Sequence, residues 1–311
     1  MRPQFSIIFF TTLVGMAQGL LFFLALLNIE EPFLSTPFLS MLALPVSFII
    51  LTLSLVASFF HLGRPERAWR AAMMWRTSWL SREVIALPAV MALTVITFFF
   101  VHSGMVPAWV WAALLISNLA LWICTAKIYQ CIQFIQEWSH PSTLSNFILL
   151  GLTSGGLLLE LLLIIWNGSS VPLGMSLISG TNFILLFIAL NLKLWIWRRN
   201  QKLKPKSNLA SATGIKSNNI RQTSMGFMGG SFNTREFFHH QTDRVISNIR
   251  KIVLLMAYIG PMILLAFSMS SPNIAQIAIA LLMHYVGLLA ERWLFFAEAN
   301  HPQNLYYQRV S

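Results

Sequence analysis

Eight stretches of this chain stay apolar for about 20 residues or more, the length a helix needs to cross the hydrocarbon core of a bilayer. They fall at 5–28, 38–60, 84–103, 107–128, 144–166, 172–197, 250–270 and 273–297. Inside a membrane every backbone N–H and C=O must find its partner within the protein, which leaves helices and closed barrels. Barrel strands alternate apolar and polar residues, and these runs are apolar throughout. The expected fold is all-α: a polytopic membrane helix bundle of eight transmembrane helices, with residues 1–311 forming a single integral membrane domain. Charged residues make up 10% of the chain, against about 25% in a soluble domain. Pro45, Pro88 and Pro261 fall inside spans and are expected to kink them. No A-x-A-like cleavage site follows the first run, so it is expected to be a retained span.

Eight spans place both termini on one side, with the loops after spans 2, 4 and 6. That side carries Arg2, Arg64, Arg67, Arg70, Arg76, Arg82, Lys127, a dense set from Arg198 to Lys251, Arg292 and Arg309, with Lys193 near it. The four opposite loops, around 29–37, 103–107, 167–172 and 270–273, contain neither Lys nor Arg. The positive-inside rule then gives an N-in/C-in orientation. The net charge of +11 is thereby explained by topology and contact with membrane lipid, not by nucleic acid.

The first basic connection, 59–83, reads FFHLGRPERAWRAAMMWRTSWLSRE. Trp69, Met73, Arg76 and Leu80 fall on one face at helical spacing, which predicts a short interfacial helix. The longest loop, 198–249, opens with RRNQKLKPKSNLASATGIKSNN, whose composition predicts a disordered first half. In its second half Asn233 and Glu236 have the spacing of a capping box, followed by paired phenylalanines, which predicts order.

Ionisable residues in or beside spans are functional candidates. His61 ends span 2, and Glu83 opens span 3 just after Ser81, expected as its N-cap. The two share a depth near the basic face. One reading pairs them in a quinone site, which needs a hydrogen-bond donor and a group that exchanges protons. The other makes His61 a backbone-bonded interfacial histidine and Glu83 the ion-pair partner of Arg82 or Arg64. The residues alone favour the second reading. Glu160, in GGLLLELLLII, is either a step in an intramembrane proton path or a structural acid bonded across a helix interface; the absence of another acid in its span favours the structural role. Glu291 and Arg292 either pair with neighbouring charges or belong to a docking surface.

His61 has no histidine at matching depth within a span, so no haem is expected. The two cysteines, Cys124 and Cys131, are too few for an iron–sulfur cluster, and a disulfide between them is not expected. Nucleotide fingerprints and metalloprotease or hydrolase motifs are absent, and no metal site is expected. Electrons used by such a chain must come from another subunit.

The stretch HLGRPERAWRA…TSWLSRE, from His61 to Glu83, resembles the signature of the DmsC family, the membrane anchor subunits of dimethyl-sulfoxide-reductase-type molybdenum enzymes. CTAKIYQCIQFIQEW, FNTREFF and ERWLFFAEANHPQNLYYQ resemble blocks of one branch, which includes anchor subunits of membrane-bound sulfite dehydrogenases. The resemblance implies a three-subunit complex. A molybdopterin catalytic subunit and a four-cluster ferredoxin-like iron–sulfur subunit sit on an anchor that exchanges electrons with menaquinone or ubiquinone. It matches the family's quinol-site histidine and glutamate to His61 and Glu83, and so reverses the preference stated above. Arg64 is expected beside them, and Arg67, Arg70, Arg235, Glu236 and Arg292 on the docking face. The implied location is a bacterial inner membrane with the partners on the cytoplasmic face. A purely structural anchor is one alternative. A transporter is another, although no convincing internal repeat supports it.

Overall fold

The computed structural model describes residues 2–30, 33–60, 62–168, 175–206, 208–217, 219–221, 223, 241–269 and 273–302. His61, the 233–238 segment with Arg235 and Glu236, and the tail from 303 lie outside the described residues. Among those described there is no strand, and eight helices are long and apolar enough to cross a membrane. They are α1 (Phe5–Asn28), α2 (Thr36–Phe59), α3 (Trp79–His102), α4 (Ala108–Gln130), α5 (Ser142–Asn167), α6 (Ser176–Asn200), α7 (Asp243–Ser268) and α8 (Ile274–Ala297). The expected all-α, eight-span bundle is therefore what forms. Helix ends differ from the apolar runs because a helix continues past the point where its sequence becomes polar. α3 begins at Trp79 and α7 at Asp243, each a turn or more before the run it contains.

Two of the three prolines are accommodated by widening the helix ahead of them. In α2 a π-helical turn, Leu39–Ala43, precedes Pro45, and the Leu44 N–H reaches back to Leu39 O. In α7 a longer π segment, Val253–Ile259, precedes Pro261, and the Gly260 N–H bonds to Leu255 O. A proline ring clashes with the carbonyl four residues back and offers no N–H, so the five-residue repeat relieves the clash and keeps the ladder bonded. Pro88 sits inside a continuous α3.

α1 and α5 form the centre. α1 packs on α5, α2, α4 and α8; α5 also meets α4, α6 and α8; α7 packs on α8 and α6. Gly15 and Gly19 on α1 face Gly151 and Gly155 on α5, two G-x-x-x-G pairs. A Cβ on Gly19 would stand 1.9 Å from Gly151 O, and one on Gly155 2.2 Å from Gly19 C. Lipid tails are as apolar as leucine, so helices in a membrane gain by close backbone approach, which small residues permit. Large apolar side chains such as Ile49, Phe99, Phe187, Phe267 and Leu282 point outward, as a lipid-facing surface requires.

On the basic face, the connection from α2 to α3 departs from the expected helix. It is a 3-10 helix, Pro65–Met74, that stops short of Arg76 and Leu80. Thr77 N and Ser78 N both bond to Met74 O, turning the chain into α3. With three residues per turn, Trp69 and Met73 no longer share a face. Each tryptophan instead carries a nearby arginine: Arg70 over Trp69 at 5.4 Å, Arg76 over Trp75 at 5.3 Å, Arg82 over Trp79 at 4.2 Å. In the long loop, where disorder is expected, Asn208 and Ser211 form a capping box on a five-residue helix, Leu209–Thr213, closed by Gly214 at φ 72°.

The short connection 131–141 is pinned to the end of α8. The Trp138 indole N–H donates to Phe295 O at 2.9 Å and its ring stacks on Phe295. His140, just ahead of the Pro141 N-cap, then braces the start of α5, its Nδ1 accepting the Ser142 N–H at 3.1 Å. Burial, and secondarily the Arg199 guanidinium, hold His140 below the usual 6.5. Neutral His140 is favoured in the folded state, so its contribution to stability is complete above about 6.5 and is lost as pH falls below that. The expected result is that His140→Gln narrows the drop in thermal stability between about pH 7.5 and 5.5, measured on the purified protein.

Candidate functional site

Glu83 lies one turn inside α3. The N-cap is Ser78, whose Oγ accepts from Ser81 N at 3.3 Å, and not the expected Ser81. This shift carries Glu83 below the surface, where it is 5% exposed. Thr125 of α4 donates its hydroxyl to Glu83 Oε1 at 2.5 Å. Arg82, adjacent in sequence, turns away and donates to Trp75 O and Arg76 O, each at 2.9 Å. The ion pairs among the described residues join Arg67 to Glu66, Lys193 to Glu291, Arg250 to Glu298 and Arg292 to Glu291, and none includes Glu83. A buried carboxyl with one hydroxyl donor, and with no cationic partner among the described residues, is suited to gaining and losing a proton.

Thr125 also borders a narrow crevice between α1, α4, α5 and α8, with Thr12, Gln18, Trp122, Ser154 and Arg292 on its walls. The Gln18 amide N–H on α1 donates to Asn118 O on α4 at 3.1 Å. At its end toward the basic face is a buried charge cluster. Glu291 Oε1 accepts from Lys193 Nζ at 2.7 Å and from Asn146 Nδ2 at 3.0 Å. Arg292 Nε stands 3.6 Å from Glu291 Oε2, and its guanidinium lies over the Phe147 ring at 3.7 Å.

The match to known proteins covers the same elements. The family model described as DMSO reductase anchor subunit (DmsC) matches residues 1–297. A sulfite dehydrogenase subunit from Allochromatium vinosum is 42% identical over 338 residues, covering all of both chains. This chain belongs to the DmsC family. It is a membrane anchor subunit of that type, with eight apolar helices as its membrane part.

Within this DmsC-family chain, the other residues singled out in the sequence are placed as follows. Arg64 caps the 3-10 helix from an exposed position, and Arg67 and Arg70 are exposed on it. Arg292 is not on a docking face: it is 3% exposed, drawn inward by Glu291 and the Phe147 and Phe295 rings. Glu160 is fully buried and bonded across a helix interface, with Ser179 Oγ donating to Oε1 and Asn182 Nδ2 to Oε2 at 2.9 Å. His284 donates from Nδ1 to Ala257 O at 2.6 Å, and its Nε2 lies 3.2 Å from Thr153 Oγ1. Both cysteines are free. No group of three or more His, Cys, Asp or Glu among the described residues is arranged to hold a metal.

Thr125, Trp122, Gln18 and Asn146 escape a reading by sequence. Each is an ordinary polar or aromatic residue in an apolar span, and only the packing of distant helices brings it to the crevice or the charge cluster. Lys193 carried a signal, a cation inside a span, which the charge count assigned to topology. Along α5, Asn146, Thr153 and Glu160 recur every seven residues and each bonds another helix. That spacing is visible in the sequence once α5 is known to be central.

Proposed function

We propose that this chain is the membrane anchor and quinone-reactive subunit of a three-subunit molybdopterin/iron–sulfur oxidoreductase, passing electrons between membrane quinone and an iron–sulfur subunit. The observation that carries the reading is Glu83: a buried acid near the basic face, free of any ion pair among the described residues and held by Thr125, which also borders a crevice between four helices. Quinone, menaquinone or ubiquinone, supplies two-electron, two-proton chemistry when bound. Glu83 exchanges a proton at its carboxylate, and the Thr125 hydroxyl orients that carboxylate. The family assignment and the likeness to a sulfite dehydrogenase subunit support quinone-linked oxidoreduction, and the sulfite relative favours sulfite oxidation over S- or N-oxide reduction.

The segregation of Lys and Arg supports an N-in/C-in orientation in a bacterial inner membrane. Glu83 and the exposed Arg67 and Arg70 then face the cytoplasm, where the iron–sulfur and molybdopterin subunits would dock. Electron transfer requires the iron–sulfur partner to lie close to the quinone site, so both belong on that face. Protons exchanged there build no gradient across the membrane.

The test uses the whole complex purified from native membranes. Glu83→Gln keeps the size and the hydrogen bond from Thr125 but cannot exchange a proton. Quinone-linked turnover is expected to fall by about 100-fold. Turnover with a soluble artificial electron carrier, which bypasses the membrane, is expected to hold. Intact quinone-linked turnover in this variant would leave the chain a structural anchor only.

A further inference from the structure

The charge cluster has a crevice on each side. The first, described above, runs from Thr125 to Arg292. The second is lined by Ser142, Thr143, Asn146, Lys193 and Asn200, and ends at Glu137 and Glu298 on the basic face. Glu298 is held there by Arg250 at 2.7 Å. Between them the cluster is continuous: Arg292 to Glu291, then Glu291 to Lys193 and Asn146. Four buried polar atoms along this line have no hydrogen-bond partner among the described residues: Gln18 Oε1, Trp122 Nε1, Arg292 Nη1 and Glu291 Oε2. Their residues are at most 3% exposed. Buried groups of this kind require partners; Gln18, Trp122 and Arg292 line the first crevice and Glu291 adjoins it through Arg292, so water in that crevice is within reach of the line.

We propose that this line is a hydrated proton route from Glu83 to the basic face, through the Glu291 cluster. Its ligand is water, and its purpose, though not its geometry, rests on the quinone reading above. The charges are balanced for this task. With Glu83 ionised, Glu83 and Glu291 offset Lys193 and Arg292. When Glu83 takes up a proton, the remaining three groups carry one net positive charge, which disfavours keeping that proton inside. Protonated Glu83 passes its proton to the Thr125 oxygen as the Thr125 hydroxyl proton moves to a water in the first crevice, and an equivalent proton leaves the second crevice at Glu137 and Glu298. No bond other than O–H is formed or broken. Asn146, Lys193 and Glu291 are positioning residues here, holding water and charge along the route.

Two measurements on the assembled complex test this. Radiolytic labelling in ¹⁸O water marks side chains next to bound water. Trp122 is expected to be labelled at least several-fold faster than Trp111, which is as deeply buried on the same helix. Equal, slow labelling of both would overturn the hydrated route whatever becomes of the quinone reading. The second measurement is Asn146→Leu, which obstructs the route without removing a charge. Expected are an approximately tenfold loss of quinone-linked turnover, a larger solvent deuterium isotope effect, and partial rescue by a small permeant acid such as acetate, with artificial-carrier turnover unchanged. Should Asn146→Leu fail to assemble, Asn200→Leu at the outer end of the same crevice serves in its place. Wild-type turnover and isotope effect in the variant that assembles, while Glu83→Gln is inactive, would overturn the route and leave the quinone reading standing. Full activity of Glu83→Gln would overturn the quinone reading instead.

Discussion

Replacing Glu291 with Leu is expected to destabilise the protein by about 3–5 kcal/mol, the usual result of removing one partner from a buried ion pair. The substitution leaves Lys193 and Arg292 facing each other with no counter-charge, both 3% exposed. Water in the adjoining crevices does not replace the lost carboxylate: Lys193 is directed at Glu291 at 2.7 Å and Arg292 lies on the Phe147 ring. The two single replacements of the cations are expected to be milder. Lys193→Met leaves Glu291 with Arg292 at 3.6 Å and the Asn146 amide at 3.0 Å. Arg292→Met leaves the closer Lys193–Glu291 pair intact. The expected order of thermal stability in detergent is therefore wild type, then the two cation variants, then Glu291→Leu. A Glu291→Leu protein as stable as wild type would mean that the cluster is not buried as described.

The second large effect is expected at the contact of α1 and α5. Gly155→Val places branched carbons where even a Cβ meets backbone at 2.2 Å, and backbone does not move aside as a flexible side chain does. Overpacking of a well-packed interface costs about 1–3 kcal/mol, occasionally more, and here the two central helices must separate. Loss of the folded chain from the membrane is expected, read as loss of a monodisperse peak in size-exclusion chromatography. Gly63→Ala, at an exposed position with no atom within 4 Å of the added Cβ, is the control and should fold normally. Gly15 lines the crevice beside Thr125, and a Cβ there stands 3.8 Å from Gly151 Cα, so Gly15→Ala is expected to fold and to lose quinone-linked turnover before it loses its partners.

The candidate site was half legible. Glu83 stands out because a carboxylate at the mouth of an apolar span is costly and draws notice. Its setting did not show in the sequence. Ser81 and Ser78 are both plausible caps, and the choice of Ser78 is what buries Glu83. Arg82 and Arg64 were the obvious partners by proximity in sequence, yet the carboxylate is met by Thr125, 42 residues away. For Arg292 the residues leave open a pairing with neighbouring charges or a place on a docking surface, and the family resemblance favours the surface; the tertiary structure turns it inward because Glu291 and two aromatic rings are there to receive it.

By itself the sequence determined the number of spans, the helical class and the segregation of basic residues to one face. Those follow from local properties: the length of an apolar run and the charge of the loop beside it. Which helices touch was decided only in three dimensions. Spans such as α4 and α6 are apolar on nearly every side, so no hydrophobic stripe names a neighbour. In a bilayer the choice passes to close glycine contacts and to scattered polar groups that must be bonded. Gly19 against Gly155, Thr125 on Glu83, and Lys193 with Asn146 on Glu291 are such choices. Each depends on a partner far along the chain, because burial away from water makes an unpaired polar group more costly than any local preference can offset.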